Sequence, residues 1–92
     1  MRFDLIDLRR FLAVVDAGSI THGAAEAGMS LPAASERLRD MEAAGEVQLL
    51  RRGRRGVSPT EAGEALAHHA RTILHQMAQM RGEISRYAKQ MR

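Results

Sequence analysis

Apolar side chains recur at helical spacing near the start of the chain, at Leu5, Leu8, Phe11, Leu12 and Val15. This spacing of three to four residues predicts an amphipathic helix that buries one face. Asp4 precedes the pattern and suits the N-cap, because its carboxylate can accept hydrogen bonds from the first turn. Gly18 suits the left-handed position that ends such a helix.

Two shorter helices are predicted next, joined by a tight turn at Gly28. The segment Ser19 to Thr21 offers an N-cap for a short, Ala-rich helix over residues 22–27. Ala24 and Ala25 are small enough to let this helix cross the following one closely. Two helices joined by such a turn are typical of a helix-turn-helix.

The second of these helices has its own start and stop signals. Ser30 is the predicted N-cap, and Pro32 lies in the first turn, where a missing N–H costs nothing. We expect the helix to run to about Ala44, with Gly45 marking its end. Its predicted buried stripe consists of Ala34, Leu38 and Met41.

The period of the pattern then changes from helical to extended. Val47, Leu49 and Leu50 predict a short strand, and residues 51–56 a turn that contains four arginines. Val57 is expected to begin the return strand. The segment Ser58 to Glu61 carries a helix start signal.

A helix from Thr60 to the end of the chain carries the longest regular pattern. Its apolar positions alternate in steps of four and three, which is the a/d seam of a coiled coil; they are Leu66, Ala70, Ile73, Met77, Met80, Ile84, Tyr87 and Met91. At about 1.5 Å per residue the helix would be roughly 45 Å long. We expect the turns near Ala62 and Leu66 to pack on the chain's own core, and the rest to pair with a second chain.

Charge is distributed unevenly between the two halves of this 92-residue chain, whose net charge is +3. Residues 1–46 hold five Arg and eight acids, whereas residues 47–92 hold nine Lys or Arg and three acids. The basic half predicts a surface for a polyanion such as DNA, RNA or an anionic lipid surface.

The residues give little support for disulfides, metal binding, catalysis or membrane insertion. The chain has no cysteine, which excludes disulfides and Cys-based zinc sites. Glu64 and His68 are one helical turn apart, but two ligands do not make a metal site, and we expect no metal and no cofactor. Neither a catalytic constellation nor a Gly-rich phosphate loop is present, so we expect no enzyme. We also expect no signal peptide and no membrane span.

Motifs along nearly the whole chain resemble the N-terminal domain of the LysR-type transcriptional regulators. The matching stretches are residues 8–15, 18–25, 30–42 and 60–63. The resemblance implies a mainly α fold: a winged helix-turn-helix, with three helices and a two-stranded wing, followed by a long dimerisation helix that pairs antiparallel. It also implies a C-terminal effector domain, absent from this sequence, that binds a small molecule.

The resemblance assigns the third helix to the major groove of DNA. The positions it implicates there are Ser30, Leu31, Pro32, Ala33, Ser35, Glu36, Arg37 and Arg39. Position 31 is usually Gln in the family, and position 36 is often Arg or Lys. Leu31 can touch a thymine methyl, and Glu36 can accept from a cytosine amino group but repels phosphate. The usual specificity is therefore not expected.

Further contacts are implied at the start of the second helix and in the wing. Ser19, Thr21 and His22 match positions that grip backbone phosphates. Arg55 matches the wing arginine that enters the minor groove, with Arg52 and Arg54 on phosphates. The family usually has Leu-Gly where this chain has Gly45-Glu46, so the third helix is expected to end a residue early.

The sequence therefore predicts a DNA-binding domain over residues 1–59 and a dimerisation helix over residues 60–92. The predicted function is sequence-specific binding of an interrupted palindrome in duplex DNA by a homodimer in the cytoplasm. A tetramer is possible in a longer protein. One alternative stays open: a module whose amphipathic C-terminal helix recruits a protein partner or lies on an anionic surface.

Overall fold

A computed structural model describes residues 3–90. It contains four helices and a two-stranded antiparallel sheet, in the order α1 (Leu5–Ala17), α2 (Ile20–Glu26), α3 (Leu31–Gly45), β1 (Leu50–Gly53), β2 (Gly56–Pro59) and α4 (Glu61–Gln90). The predicted mainly α winged helix-turn-helix with a long final helix is confirmed. The predicted N-caps Asp4 and Ser30 accept hydrogen bonds from the first turns of their helices. In the segment predicted to cap α2 the cap is Ser19, so α2 begins at Ile20, two residues earlier than predicted.

The core lies where α1, α3 and α4 meet. Phe11 of α1 and Met41 of α3 are the largest apolar side chains in the core. Leu50, the first residue of β1, is also buried there. The predicted buried stripe of α3, Ala34, Leu38 and Met41, is confirmed. With few aromatic residues, this core depends on helices that approach each other closely.

Close approach is most severe between α1 and α2. A Cβ atom added to Gly23 would lie 2.5 Å from Val14 Cα, so only glycine fits at this crossing. Ala24 is buried as expected for a close crossing, but Ala25 is exposed, and its predicted role is wrong. The small residue that brings the helices together is Gly23, and the helix it meets is α1.

An ion pair joins the start of α1 to the middle of α3. Asp7 is buried and receives two hydrogen bonds from the guanidinium of Arg37, of which Nε to Oδ1 measures 2.5 Å. Asp7 also forms a capping box with Asp4. The hydrogen bonds from Arg37 hold the pKa of Asp7 below its ordinary value of 3.8, although burial acts in the opposite direction.

The end of α3 differs from the sequence prediction. The helix includes Gly45 and does not end early, and it is Glu46 that takes the left-handed conformation, with φ of 52°. This conformation costs a non-glycine residue about 1 kcal/mol. The N–H groups of Glu46 and Val47 offset the cost by donating to the carbonyls of Ala43 and Glu42, at 3.2 and 3.1 Å.

The first strand of the wing begins and ends later in the chain than predicted. Leu50 pairs with Pro59 and Gly53 with Gly56, so Val47 and Leu49 precede β1. The carboxylate of Glu42 explains the late start, because it accepts from the backbone N–H groups of Leu49 and Leu50 at 2.7 and 3.3 Å. Three residues assigned to the turn, 51–53, belong to β1 instead.

Helix α4 packs on the core only along its first half. Thr60 caps it, accepting from Gly63 N–H at 3.0 Å while its hydroxyl donates to the Gln48 carbonyl at 2.6 Å. Ala67 and Ala70 are buried against α1, whereas every described side chain from residue 78 to 88 is exposed. Ala70 was assigned to the surface that meets a second chain. This assignment is wrong, because Ala70 is 0% exposed within its own chain.

We predict that Gly23→Ala lowers the free energy of unfolding by about 2 kcal/mol, because the added methyl meets backbone atoms of Val14 that cannot move aside alone. Gly82→Ala is the matched control. Nothing lies within 4 Å of a Cβ at that helical position, and alanine should raise stability by about 0.8 kcal/mol. Urea unfolding of both variants at one protein concentration measures the effects. Equal behaviour of the two variants would contradict the predicted crowding at Gly23.

We predict that Asp7→Asn destabilises the chain by about 2 kcal/mol at neutral pH, because it removes a charged hydrogen-bond pair. Because folding lowers the pKa of Asp7, its contribution to the free energy of unfolding is complete above pH 3.8. That contribution is lost as the pH falls through the pKa of Asp7 in the folded state. The difference from wild type should therefore shrink in acid. Asp16→Asn breaks the exposed pair with Arg71 and should cost much less. A difference for Asp7→Asn that stays constant from pH 7 to pH 2 would refute the assignment.

Candidate nucleic-acid interface

The start of α2 presents three of the predicted phosphate-binding residues. The hydroxyl of Ser19 accepts from the backbone N–H of His22 at 3.2 Å, so this oxygen caps the helix. Thr21 and His22 are exposed, and Ser19 is half-buried. The side chains of Thr21 and His22 are therefore free to face a ligand, while Ser19 fixes the position of the helix end.

The leading end of α3 is exposed and apolar. Ser30 caps it by accepting from Ala33 N–H at 3.3 Å, and Leu31, Pro32 and Ala33 are all exposed. Leu31 exposes 45% of its surface, although a leucine is ordinarily buried. The structure thus brings these four predicted residues together at one end of one helix.

Further along α3, the predicted residues divide between two directions. Glu36 and Arg39 are exposed, and Ser35 is half-buried. The guanidinium of Arg37 faces α1, where its Nε and one terminal nitrogen donate hydrogen bonds to the carboxylate of Asp7. Within the described residues, Arg39 of α3 forms no ion pair, whereas Arg37 is paired with Asp7 and keeps 37% of its side-chain surface exposed.

The wing carries a concentrated positive charge. Arg51, Arg52, Arg54 and Arg55 are all exposed, and residues 51–58 line an open hollow of about 370 Å³. Arg52 lies 3.7 Å from the carboxylate of Glu42, so α3 holds one side of the wing. Arg54 and Arg55 stand at the turn between the strands.

The wing is fixed to the corner between α1 and α2. Val57 N–H donates to the Gly18 carbonyl at 3.0 Å, and Gly56 has a φ of 124°. A Cβ at Gly56 would lie 2.1 Å from the same carbonyl oxygen, which makes glycine necessary there. This contact places the wing beside Ser19 at the start of α2, so two predicted contact regions are neighbours.

A second surface runs along α4. Ile73, Met80, Ile84 and Tyr87 expose between 42% and 61% of their surfaces. Leu66 and Met77 are half-buried, and the last predicted seam residue, Met91, lies outside the described residues. Near its first half the helix borders an apolar groove of about 530 Å³, lined by Phe3, Leu8, Val47, Leu49, Ala62, Ala65, Leu66, His69 and Ile73.

Sequence reasoning missed the residues that position these surfaces. Glu42, Asp7 and Gly56 were not assigned any role, although each holds a predicted contact element in place. Asp7 carried a usable signal, because Asp4 and Asp7 have the spacing of a capping box. Glu42 and Gly56 carried none, since their partners are distant in sequence or are backbone atoms.

The described part of the chain was compared with the patterns of metal sites and of membrane-crossing helices. Within residues 3–90, no three His, Asp or Glu side chains group together as potential ligands. The ring centroids of His68 and His69 lie 5.3 Å apart, edge to face. None of the described helices combines the length and apolar character that crossing a membrane requires.

Comparison with known proteins identifies relatives of similar sequence. The nitrogen assimilation regulatory protein nac of Klebsiella aerogenes is 40% identical over 85 residues, which are 92% of this chain and 28% of that protein. The protein of the same name in Escherichia coli is 43% identical over 72 residues, or 78% of this chain and 24% of that protein. The chain thus spans about a quarter of the length of these relatives.

Solved structures with the same fold include DNA complexes. The CbnR DNA-binding domain in complex with DNA has a TM-score of 0.80 and 35% identity, over 94% of this chain and 98% of that one. The BenM DNA-binding domain in complex with benA site 1 DNA has a TM-score of 0.87 and 32% identity, over 94% and 97%.

A family model described as the bacterial regulatory helix-turn-helix proteins of the lysR family matches residues 5–64, which comprise α1 to β2 and the start of α4. Because this match covers well over half of the sequence, the chain belongs to the lysR family of regulatory proteins and contains its helix-turn-helix DNA-binding domain.

Proposed function

We propose that the chain binds duplex DNA in a sequence-specific manner and directs transcription regulation. The observation that carries the proposal is the close similarity, over 94% of the chain, to two domains solved in complexes with DNA. The exposed end of α3 and the exposed arginines of the wing supply the shape and the charge that this function needs. An exposed helix can enter the major groove with its N-terminal end forward.

In this proposal, affinity comes chiefly from the wing and the start of α2. Arg55 enters the minor groove, where negative potential attracts a guanidinium. Arg52 and Arg54 contact phosphates, as do Thr21, His22 and the capped end of α2 at Ser19. The attachment of the wing at Gly18 supports a concerted contact, because it holds these groups next to one another before DNA arrives.

The ligand-facing side of α3 then supplies specificity. Ser30, Leu31, Pro32 and Ala33 form its leading end, and Ser35, Glu36 and Arg39 follow along the helix. Arg37 was predicted to share this task. We propose that its main task is to hold α3 against α1, because two of its nitrogens donate to Asp7.

We further propose that two chains pair antiparallel through α4 and bind an interrupted palindrome. Four exposed apolar residues follow heptad spacing, which is typical of a surface that pairs with a second helix; they are Ile73, Met80, Ile84 and Tyr87. Met77 lies about midway between Leu66 and Tyr87. If two α4 helices pair antiparallel with Met77 at the centre, Ile84 and Tyr87 of the second copy lie against the apolar groove that Leu66 lines. Apolar side chains would thereby fill an apolar groove.

The remaining properties belong to the longer proteins that this chain resembles. We propose that a regulator containing this domain acts in the cytoplasm, where bacterial DNA lies, and that a small molecule acts only through a further domain. A tetramer would also require that domain. The relatives found are regulators, which supports a DNA-binding role without catalysis.

We predict that Arg55→Ala weakens binding to a preferred duplex about tenfold and lowers the salt dependence of binding by about one counterion. The side chain is exposed, so the fold should survive. Arg86→Ala removes an equal charge from the exposed part of α4, on the side away from the proposed seam, and should leave affinity unchanged. Fluorescence anisotropy over a salt series measures both variants. Equal affinities would argue against the role assigned to the wing.

We predict that Ile84→Asp converts dimers to monomers, because a carboxylate would enter the proposed apolar interface. Ile84 exposes 61% of its surface and lies beyond the core, so the domain itself should remain folded. Ala78→Asp adds the same charge to an exposed position about 140° around the helix from Ile73. Sedimentation should show that this control stays dimeric. Dimers of Ile84→Asp would refute the interface.

A further inference from the structure

One edge of the apolar seam on α4 carries three polar side chains at heptad spacing. They are His69, Gln76 and Glu83, and each lies one residue before an apolar residue of the seam. Positions of this kind flank the a/d residues of a coiled coil and are the ones that select a partner helix and its orientation. We call these three residues the polar edge.

The surface of α4 places the polar edge directly beside the seam. His69 lines the apolar groove together with seam residues. Gln76 and Glu83 line a second hollow, of about 390 Å³, whose other lining residues all belong to the seam. All three side chains are exposed, and within residues 3–90 none of them forms a side-chain hydrogen bond or an ion pair. Their hydrogen-bonding capacity is therefore free for a molecule that covers the seam.

The opposite edge of the seam has a different character. Its heptad positions hold Ala67, Leu74, Arg81 and Ala88. Ala67 is buried and Leu74 packs against the core, so the chain's own domain covers the first half of this edge. Arg81 is the only charged residue of the four. Complementary polar contacts between two copies of α4 must therefore involve the polar edge.

Antiparallel pairing brings the polar edges of two copies together, because the two-fold axis relates each edge to the same edge of the other helix. With Met77 at the centre, Glu83 lies at the level of residue 71 in the second copy, since both are six residues from Met77. The nearest polar-edge residue of that copy is His69, only two residues or about 3 Å away along the axis. Gln76, one residue from the centre, meets Gln76 of the second copy.

Parallel pairing would not match these side chains. In that orientation the polar edge of one chain faces the opposite edge of the other. Glu83 and His69 would then lie against Ala88 and Leu74, which offer neither a donor nor an acceptor in their side chains. The seam itself does not distinguish the two orientations, because methionine is flexible and packs in many geometries.

We propose that the polar edge recognises a second copy of this chain: each Glu83 accepts a hydrogen bond from the imidazole of His69 in the other copy, and the two Gln76 amides pair at the centre. This inference rests on the proposed pairing of α4, and it specifies which residues select the antiparallel orientation and the register. Ile84 follows Glu83 and enters the apolar groove that His69 lines, so the seam and the polar edge favour the same arrangement.

The recognition is tested by exchanging charges and measuring the dissociation constant of the dimer by sedimentation. His69→Glu sets a carboxylate against Glu83 at both ends of the pair and should weaken the dimer about tenfold. Glu83→Lys should weaken it about threefold, because each His69 loses its acceptor. The double variant His69→Glu/Glu83→Lys restores opposite charges and should bind within about twofold of wild type. Positions 69 and 83 are about 21 Å apart on one helix, so a rescue acts between chains.

His75→Glu is the matched control for the added charge. His75 is exposed and lies about 180° around the helix from Ile84, on the side away from the seam. This variant should keep the dissociation constant of wild type. Combined with Glu83→Lys, it should show the full loss that Glu83→Lys causes alone.

Orientation is tested separately with single thiols, since the chain has no cysteine. A short bismaleimide should join two chains of Gln76→Cys, because the two-fold axis brings this position close to itself. Gln79→Cys carries its thiol about 140° around the helix from Ile84 and should remain unlinked.

A double variant that dimerises as weakly as His69→Glu would overturn the proposed recognition, and so would equal cross-linking of Gln76→Cys and Gln79→Cys. Wild-type dimers that persist alongside either result would leave the proposed function standing. A wild-type chain that stays monomeric in sedimentation would contradict the proposed pairing of α4 together with this inference.

Discussion

The ion pair between buried Asp7 and partly exposed Arg37 is the interaction on which the arrangement of the helices depends. Asp7 closes the capping box of α1, and the same carboxylate holds the guanidinium of Arg37 from α3. A carboxylate removed from water in this way is stable only with a charged, hydrogen-bonded partner. The pair therefore fixes α3 on α1, and it commits two of the three guanidinium nitrogens of Arg37 to Asp7.

Polar contacts of the same kind position the wing and α4. Glu42 ties α3 to the first residues of β1, while the Gly18 carbonyl receives the wing at Val57. Thr60 links Gln48, just before the wing, to the first turn of α4. The interface is thus preorganised by groups that are not expected to touch DNA, which lowers the ordering cost of binding.

The sequence predicted most of the fold because its local signals are strong. N-caps at Asp4, Ser19 and Ser30 and the left-handed Gly18 set the helix boundaries closely. The start of β1 was predicted too early, because the carboxylate of Glu42 takes the N–H of Leu49, while the Leu49 carbonyl still accepts from Thr60 N–H. No local pattern reports a side chain seven residues away that accepts backbone hydrogen bonds.

The candidate site was less predictable, because a surface charge looks the same in sequence whatever it contacts. Arg37 and Arg39 are equivalent in pattern, yet only Arg37 is held by Asp7. Ala70 fits the heptad seam, but the same residue also fits a stripe with Ala67 that faces the core of its own chain. Small residues can serve either face of a helix, so periodicity alone does not separate the two.

The most direct test of the central claim is the affinity for duplexes that carry one or two copies of a half-site selected from a random pool, with their separation varied one base pair at a time. Two domains held by paired α4 helices should bind two correctly spaced copies far more tightly than one, and affinity should fall sharply when the spacing is changed by a few base pairs. An affinity that depends neither on the second copy nor on its spacing would contradict the account.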